Sequence, residues 1–505
     1  MKKTSLHIFV VYFGVLLAAG TLYVVSCAPG ALWQDSGLIQ YRTWHHDIEG
    51  FLGLALSHPL FYLLAIGAKL TGLGEFGYRV NLVSAVAGAV AVANLYLLVR
   101  LWLGKDFPAL IAAGTLAVSH TFWRHASIAE TYTLWTALFL GELIVLLQYT
   151  RTRRVTYLYV LGLLNGLAIA VHMLAAIPLL CYAGLLAVLL AKRAIHFRNV
   201  LLVALLWIIG ALPYEYLIVR HMIGAGDVVG TLASAAFGDR WRGDVLNTSL
   251  SWRIVKENTL FGLLNFPTPN ALLFFIGCLG LRRVESGLVF RNFLVVLLVL
   301  FFVFAFRYTV SDRYAFFLPF YSLAAVTIGL GARFVQERLH GKVLLVLMGA
   351  FTLLPIAAYV VVPRWAQRMN TAIGTRDDIA YRNDYTYFLQ PWKTGDDGAE
   401  RFARDALATA DPNAVIYADT TTVAPLLYVQ EVKNRRPDVK IITGIVRSQE
   451  APPYDEQTLE QLVASHPIYV TSDKAGYCPK FVLGRYDLVR AGVMWRVVKP
   501  SRPVD

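Results

Sequence analysis

Charge is what this chain has least of. Only 16% of its 505 residues are Asp, Glu, Lys or Arg, 57% are hydrophobic, and the mean hydropathy is +0.54. A soluble domain carries roughly a quarter charged residues, so the chain as a whole is not a soluble globule. Cysteine is also scarce, with Cys27, Cys181, Cys278 and Cys478 the only four. Three of these sit at or inside apolar runs, so no disulfide framework is expected, and no zinc-ligand spacing occurs. Nucleic-acid motifs are missing too, although the net charge is +13. The surplus of cations has another use, because basic residues hold loops on the cytoplasmic side of a membrane.

What the chain does have is apolar runs, from Leu6 to Val362, many long enough for a ~30 Å hydrocarbon core. They predict spans over 7–27, 80–102, 107–122, 129–149, 156–171, 173–191, 199–219, 266–281, 291–307, 315–332 and 343–362. With the N-terminus inside, every inner loop is basic: Arg100/Lys105, Arg151/Arg153/Arg154, Lys192/Arg193/Arg198, Arg282/Arg283/Arg291 and Arg333/Arg338/Lys342. The expected fold class is a polytopic α-helical membrane protein with about eleven transmembrane helices and a C-terminal soluble α/β domain. The membrane domain takes residues 1–363, with external loops 28–79 and 220–265. The soluble domain takes 364–505 and, in a bacterial inner membrane, faces the periplasm. The first run is read as an uncleaved signal anchor, despite the lipoprotein-like Val24-Val25-Ser26-Cys27.

Within the first loop, Phe51 to Leu70 reads as helix lying at the interface or re-entering. In the second, Arg240, Trp241, Arg242, Trp252, Arg253 and Lys256 suit headgroup depth. In the tail, 414–418, 438–442 and 467–470 read as strands alternating with helices over 423–432 and 455–465. That order predicts a parallel sheet. No glycine-rich phosphate loop follows its first strand.

The candidate chemistry sits at the outer ends of the spans. Asp35, in Trp33-Gln34-Asp35-Ser36-Gly37, follows the first span and precedes a turn-like pair; an ordinary helix cap is the alternative. Asp47 and Glu49, with His45 and His46, form a set that could take a divalent cation, or simply a solvated loop. Arg313 in Ser311-Asp312-Arg313-Tyr314, with Arg307, could grip a lipid phosphate bidentately or serve as a snorkelling or Asp312-paired anchor. Glu130 is read as facing protein, paired with Arg124 or Arg79, and His172 as a satisfied interior histidine. Neither inverted repeats nor interrupted helices with ionisable residues at mid-depth are evident, as a transporter or lipid flippase would need. A non-catalytic envelope scaffold is a third reading.

Taken in order, several motifs resemble one family. They are Trp33–Gly37, His58-Pro59, Tyr78-Arg79-Val80-Asn81-Leu82-Val83-Ser84, Thr121-Phe122-Trp123, Ile128–Tyr132, Asp312–Tyr321, Pro425–Glu431 and Arg436–Val439. The resemblance is to a family of membrane proteins formerly of unknown function that includes a eukaryotic transmembrane protein O-mannosyltransferase. It implies a GT-C glycosyltransferase architecture and a polyprenyl-phosphate-linked sugar donor, with mannose the sugar suggested. It implies a hydroxyl acceptor on a protein or envelope glycan, with Asp35 as the catalytic acidic residue. On this reading Arg313 and Arg307 bind the donor phosphate, and Asp47, Glu49, His58, Arg79 and Glu130 support the site. A metal is not required. The chain departs from the family at Leu38, where an acidic residue is common, and at His58-Pro59-Leu60-Phe61, where a Pro-Pro-Gly-Tyr run after the histidine is common.

Overall fold

The computed structural model describes residues 2–238, 242–245, 247–284, 287–310, 312–339, 341–374, 376–443 and 456–499. Arg240, Trp241, Ser311 and Asp455, named above, lie outside the described residues. The chain is mostly helical and divides into two compact units. One comprises Met1–Ser26, Ile48–Leu64 and Leu82–Val362; the other comprises Cys27–Asp47, Ala65–Asn81 and Pro363–Asp505. The first long loop is therefore shared out, two of its stretches folding with the C-terminal part.

Among the described residues, nine helices are long and apolar enough to span a membrane, or ten if one bent pair counts as a span. That is fewer than the eleven apolar runs suggest, for a geometric reason. Asp106–Ala117 has 12 residues and Thr156–Val171 has 16. At 1.5 Å per residue they reach about 18 and 24 Å, short of a ~30 Å core. Conversely, Leu54–Thr71 qualifies as a span. Its helix Pro59–Ala68 is extended by single 3-10 turns at both ends, which the Ser57-His58-Pro59 interruption hides in the sequence. The predicted span 266–281 is one arm of a pair, Trp252–Asn265 and Pro269–Arg283, bent by 112°. A broken helix is thus present where the sequence showed none.

In the helical unit, burial separates inner from outer helices. The span Arg313–Arg338 is 89% buried, whereas Leu6–Ser26 is 11% buried and shows Leu6, Phe9 and Leu17 outward. A helix apolar all round and fully enclosed is the middle of a bundle. Inner helices approach closely through glycine. A Cβ on Gly166 would lie 2.1 Å from the Trp207 carbonyl oxygen, and one on Gly210 2.4 Å from that of Leu163. One group of polar side chains inside the bundle satisfies itself. Glu142, halfway along Tyr132–Thr152, accepts from Tyr182 Oη at 3.0 Å and Asn165 Nδ2 at 3.3 Å, and Trp207 donates to Asn165 Oδ1 at 3.0 Å. Ionisable groups are therefore not confined to the span ends, as the sequence reading had them.

In the second unit, strands β1 (Val415–Tyr417), β2 (Lys440–Ile442), β3 (Ile468–Val470), β4 (Asp487–Ala491) and β5 (Met494–Val498) form one sheet in the order β2-β1-β3-β5-β4. The expected parallel pairs β1–β2 and β1–β3 are present. An antiparallel hairpin, β4–β5, extends the sheet. Its turn contains Gly492 at φ +57°.

The glycine crossing gives a direct test. Gly210→Val should overpack the contact between Thr156–Val171 and Phe197–Ala225 and cost roughly 1–3 kcal/mol, read as a lower thermal midpoint in detergent. Gly184→Val, where a Cβ meets nothing within 4 Å, should leave the midpoint unchanged.

Candidate functional site

Asp35 lies in the first turn of the helix Gln34–Trp44, so Ser36-Gly37 is helical rather than the turn its composition suggests. The glycine is there for close approach. A Cβ on Gly37 would lie 2.1 Å from the Leu32 carbonyl oxygen and 2.9 Å from Ala424 Cβ. The helix thus packs directly on Val423–Leu427 of the C-terminal part, within one compact unit. Gln34 has φ +54°, a left-handed conformation rare outside glycine. Its backbone N–H donates to the Thr421 carbonyl at 3.3 Å.

Thr421 is itself held from below. The Arg376 guanidinium, 2% exposed, donates from Nη1 to Asp419 Oδ1 at 2.8 Å and from Nη2 to Asp419 Oδ2 at 3.0 Å. Nη1 also reaches Thr421 Oγ1 at 2.9 Å, and Asp419 Oδ1 accepts the Thr421 N–H at 2.7 Å. A second anchor crosses the first loop. Gln40 Nε2 donates to the carbonyls of Gly30 (3.0 Å) and Gly77 (3.2 Å), and Gln40 Oε1 accepts the Leu32 N–H at 3.1 Å. Asn81 Nδ2 donates to the Ala28 carbonyl at 2.9 Å. The Tyr428 hydroxyl donates to Glu75 at 2.7 Å and accepts the Gly77 N–H at 2.8 Å, while Glu431 accepts from Tyr41 at 3.0 Å. Asn81 of the Tyr78–Ser84 motif and Glu431 of the Pro425–Glu431 motif thus bond directly to the Asp35 helix, through Gln40 and Tyr41.

Among the described residues, the Asp35 carboxylate has neither a hydrogen bond nor an ion pair. Its side chain is exposed to solvent, and the protein packed on its inner side raises its pKa above the usual carboxylate range. A helix N-terminus favours the anion, but here that packing outweighs it.

The other candidates already have partners. Asp47 pairs with Arg42 at 3.2 Å, Glu49 with Arg220 and, at 3.6 Å, with His221, and His45 meets Glu431 at 2.6 Å. The loop acids thus face separate cations, and no cluster of three or more His, Cys, Asp or Glu able to hold a metal occurs among the described residues. Arg79 donates from Nη1 to the Lys69 carbonyl at 2.6 Å.

In the helical unit, His58 Nδ1 lies 2.7 Å from the Val171 carbonyl oxygen, and its ring stacks on His172 at 5.0 Å between centroids. His172 is 5.1 Å from Tyr132, which is 5.1 Å from His125, which is 5.8 Å from Tyr314. His58, Tyr132 and Tyr314 come from three separate motifs, and with His125 and His172 they form one run of rings. Burial and the Arg124 cation push the His125 imidazole down to about 3, so it is neutral at ordinary pH. Glu130 exchanges backbone hydrogen bonds with Ser84 Oγ at 2.8 and 3.0 Å.

Arg313 is 7% exposed and donates from Nε to Asn258 Oδ1 at 3.2 Å and from Nη2 to Glu257. Sequence reasoning missed Glu257 and Asn258, consecutive polar residues in an otherwise amphipathic helix. Arg307 donates to the Asn247 carbonyl and sits 5.5 Å from the Phe304 ring centroid. Asp35 belongs to the C-terminal unit and Arg313 to the helical one.

Residues 56–195 match the family model described as the protein O-mannosyl-transferase TMEM260 N-terminal domain. The match takes in His58-Pro59, Tyr78–Ser84 and Ile128–Tyr132 and begins beyond Asp35. A relative, protein O-mannosyl-transferase TMEM260 of Mus musculus, is 30% identical over 230 residues, 43% of this chain and 31% of the mouse protein. The chain thus aligns with about a third of that relative's length. The fold is similar to the crystal structure of ArnT from Cupriavidus metallidurans bound to undecaprenyl phosphate, with a TM-score of 0.61 and 13% identity over 97% of both chains. Against apo ArnT the TM-score is 0.63, with 14% identity over 98% of both. These likenesses bear out the resemblance read from the motifs and an ArnT-like GT-C fold.

The anchors of the Asp35 helix give a stability prediction. Arg376→Ala leaves Asp419 and Asp378 buried without their cation, a loss of about 3–5 kcal/mol. Unfolding of the C-terminal unit should move to markedly lower denaturant, followed by limited proteolysis. Arg376→Lys should recover only part, because lysine cannot form the two-pronged contact.

Proposed function

We propose that this chain is a membrane glycosyltransferase that moves a sugar from a polyprenyl-phosphate donor to a hydroxyl acceptor with inversion at the anomeric carbon. The observation that carries the reading is the Asp35 carboxylate, which is open to solvent, has no partner among the described residues and sits on a helix held in place by buried polar anchors. Asp47, Glu49 and Asp419 are each paired with a cation, whereas Asp35 is available to accept a proton. The mouse relative's name supports mannose as the sugar, and the lipid phosphate bound to ArnT supports the donor class.

In the proposed step, Asp35 takes the proton of the acceptor hydroxyl as that oxygen bonds to the anomeric carbon. The carbon–oxygen bond to the phosphate breaks, and the lipid phosphate leaves with the bonding pair. Arg313 stabilises the leaving anion. Its Nε and Nη2 are committed to Asn258 and Glu257, which fixes the plane of the guanidinium and leaves Nη1 for phosphate. Arg307 adds positive charge. No metal is needed, since the leaving group is already a stable anion. The basic inner loops support an inside N-terminus and an active face outside, in a bacterium the periplasmic side of the inner membrane.

The bent helix pair favours a transporter by shape, yet Asn265 at the break donates from Nδ2 to Thr121 Oγ1 at 3.0 Å and accepts the Thr121 N–H at 2.9 Å. The end of the first arm is thus bonded to a neighbouring helix.

The test uses purified protein in nanodiscs with labelled polyprenyl-phosphate mannose and envelope acceptor material. Asp35→Asn should reduce transfer by roughly 10²-fold or more. It should hold or slightly raise the thermal midpoint at neutral pH, because a carboxyl with a raised pKa opposes folding when ionised. Transfer at the wild-type rate by this variant would end the proposal. Arg313→Lys should weaken donor use, since a point charge cannot reproduce a fixed guanidinium plane. A wild-type donor response from this variant would remove Arg313 from the site.

A further inference from the structure

The C-terminal unit contains a cavity of about 330 Å³, bordered by Trp33, Arg382, Tyr387, Gln390, Trp392 and Arg401 among others. That volume is at the small end of the ~300–1,000 Å³ typical of small-ligand pockets. All the bordering residues belong to one compact unit. None of the lining comes from a strand, so the cavity offers no sheet edge to an extended peptide.

Its wall holds a polar group that the fold leaves unsatisfied. The Arg382 side chain is 1% exposed. Its Nε donates to Asp384 Oδ1 at 2.9 Å, and its guanidinium carbon lies 4.2 Å from the Tyr387 ring centroid and 5.9 Å from that of Trp33. Nη1 is buried and, among the described residues, has no hydrogen-bond partner. A guanidinium has five N–H donors, and burying one without an acceptor is costly. Lys393, another lining residue, donates from Nζ to the carbonyls of Tyr387 (3.0 Å) and Gln390 (2.7 Å).

We propose that this cavity binds a pyranose ring of a glycan acceptor. Sugars present an apolar face, which packs on aromatic rings, and an equator of hydroxyls, which accept from guanidinium and amide donors. Aromatic faces, an amide, two guanidinium groups and an unsatisfied N–H around one ring-sized space match that chemistry. Trp33 is two residues from Asp35, so their Cα atoms are at most about 7 Å apart. The inference rests on the transferase reading and narrows its acceptor from any hydroxyl to a glycan.

The test is direct binding, independent of turnover. Full-length protein in nanodiscs is titrated with methyl α-mannoside, methyl α-glucoside, methyl α-galactoside and a mannose disaccharide, followed by tryptophan fluorescence and saturation-transfer NMR. At least one should bind saturably. Trp392→Ala and Arg382→Gln should each weaken binding roughly tenfold or more, with Trp392→Ala leaving the thermal midpoint near wild type. Absence of saturable binding by every sugar would overturn the proposal, as would unchanged binding in Trp392→Ala or competition by an unglycosylated peptide alone. The transferase reading is judged separately by Asp35→Asn, so transfer lost in that variant with no glycoside binding by the wild type would reject the glycan site alone.

Discussion

Contact between the backbone at Gly37 and the helix Val423–Leu427 is the constraint on which the candidate site depends. No side chain fits there, because a Cβ would meet Leu32 and Ala424 inside van der Waals distance. Once the helix Gln34–Trp44 is seated, Thr421 can take the Gln34 N–H, and Gln34 can be held at a positive φ. Strain of this kind persists only where its surroundings over-determine it. Here they do, through a two-pronged Arg376–Asp419 contact beneath and Gln40 across the two halves of the first loop. The C-terminal unit is thereby part of the apparatus that presents Asp35, rather than a separate module.

The helical unit meets a different requirement. In hydrocarbon an unsatisfied polar group has no water to turn to, so each buried one needs a protein partner. Glu142, Asn165, Tyr182 and Trp207 supply each other, and Asn265 at the end of the bent pair's first arm bonds Thr121. Arg313 follows the same rule with Asn258 and Glu257. Its fixed plane is what the proposed phosphate contact uses. The rings of His58, His172, Tyr132, His125 and Tyr314 lie in one run and bring three of the motifs together.

Much of this was legible in the sequence. Apolar runs gave the membrane class, and alternating strand and helix signals gave the parallel β1–β2 and β1–β3 pairs. Span number was less legible, because hydropathy does not register that Thr156–Val171 is too short or that Pro59–Ala68 is lengthened by 3-10 turns. The β4–β5 hairpin was missed since Asp487–Ala491 is half exposed and mixed in composition. Asp35 stood out by position and motif. The residues holding it did not, because Arg376, Asp419, Gln40 and Tyr428 are isolated polar residues whose meeting depends on tertiary packing. Asp47 and Glu49 looked like a shared site in the sequence, yet each pairs with its own cation.

The central claim is that the Asp35 carboxylate acts as the base. It is tested most directly by the pH dependence of kcat/KM for sugar transfer from the lipid-phosphate donor in nanodiscs. An unperturbed aspartate titrates near ~3.9. The raised pKa of Asp35 predicts a rising limb displaced to higher pH than that, one that disappears in Asp35→Asn. A flat profile from pH 4 to 7, or an identical rising limb in the Asp35→Asn variant, would contradict the account.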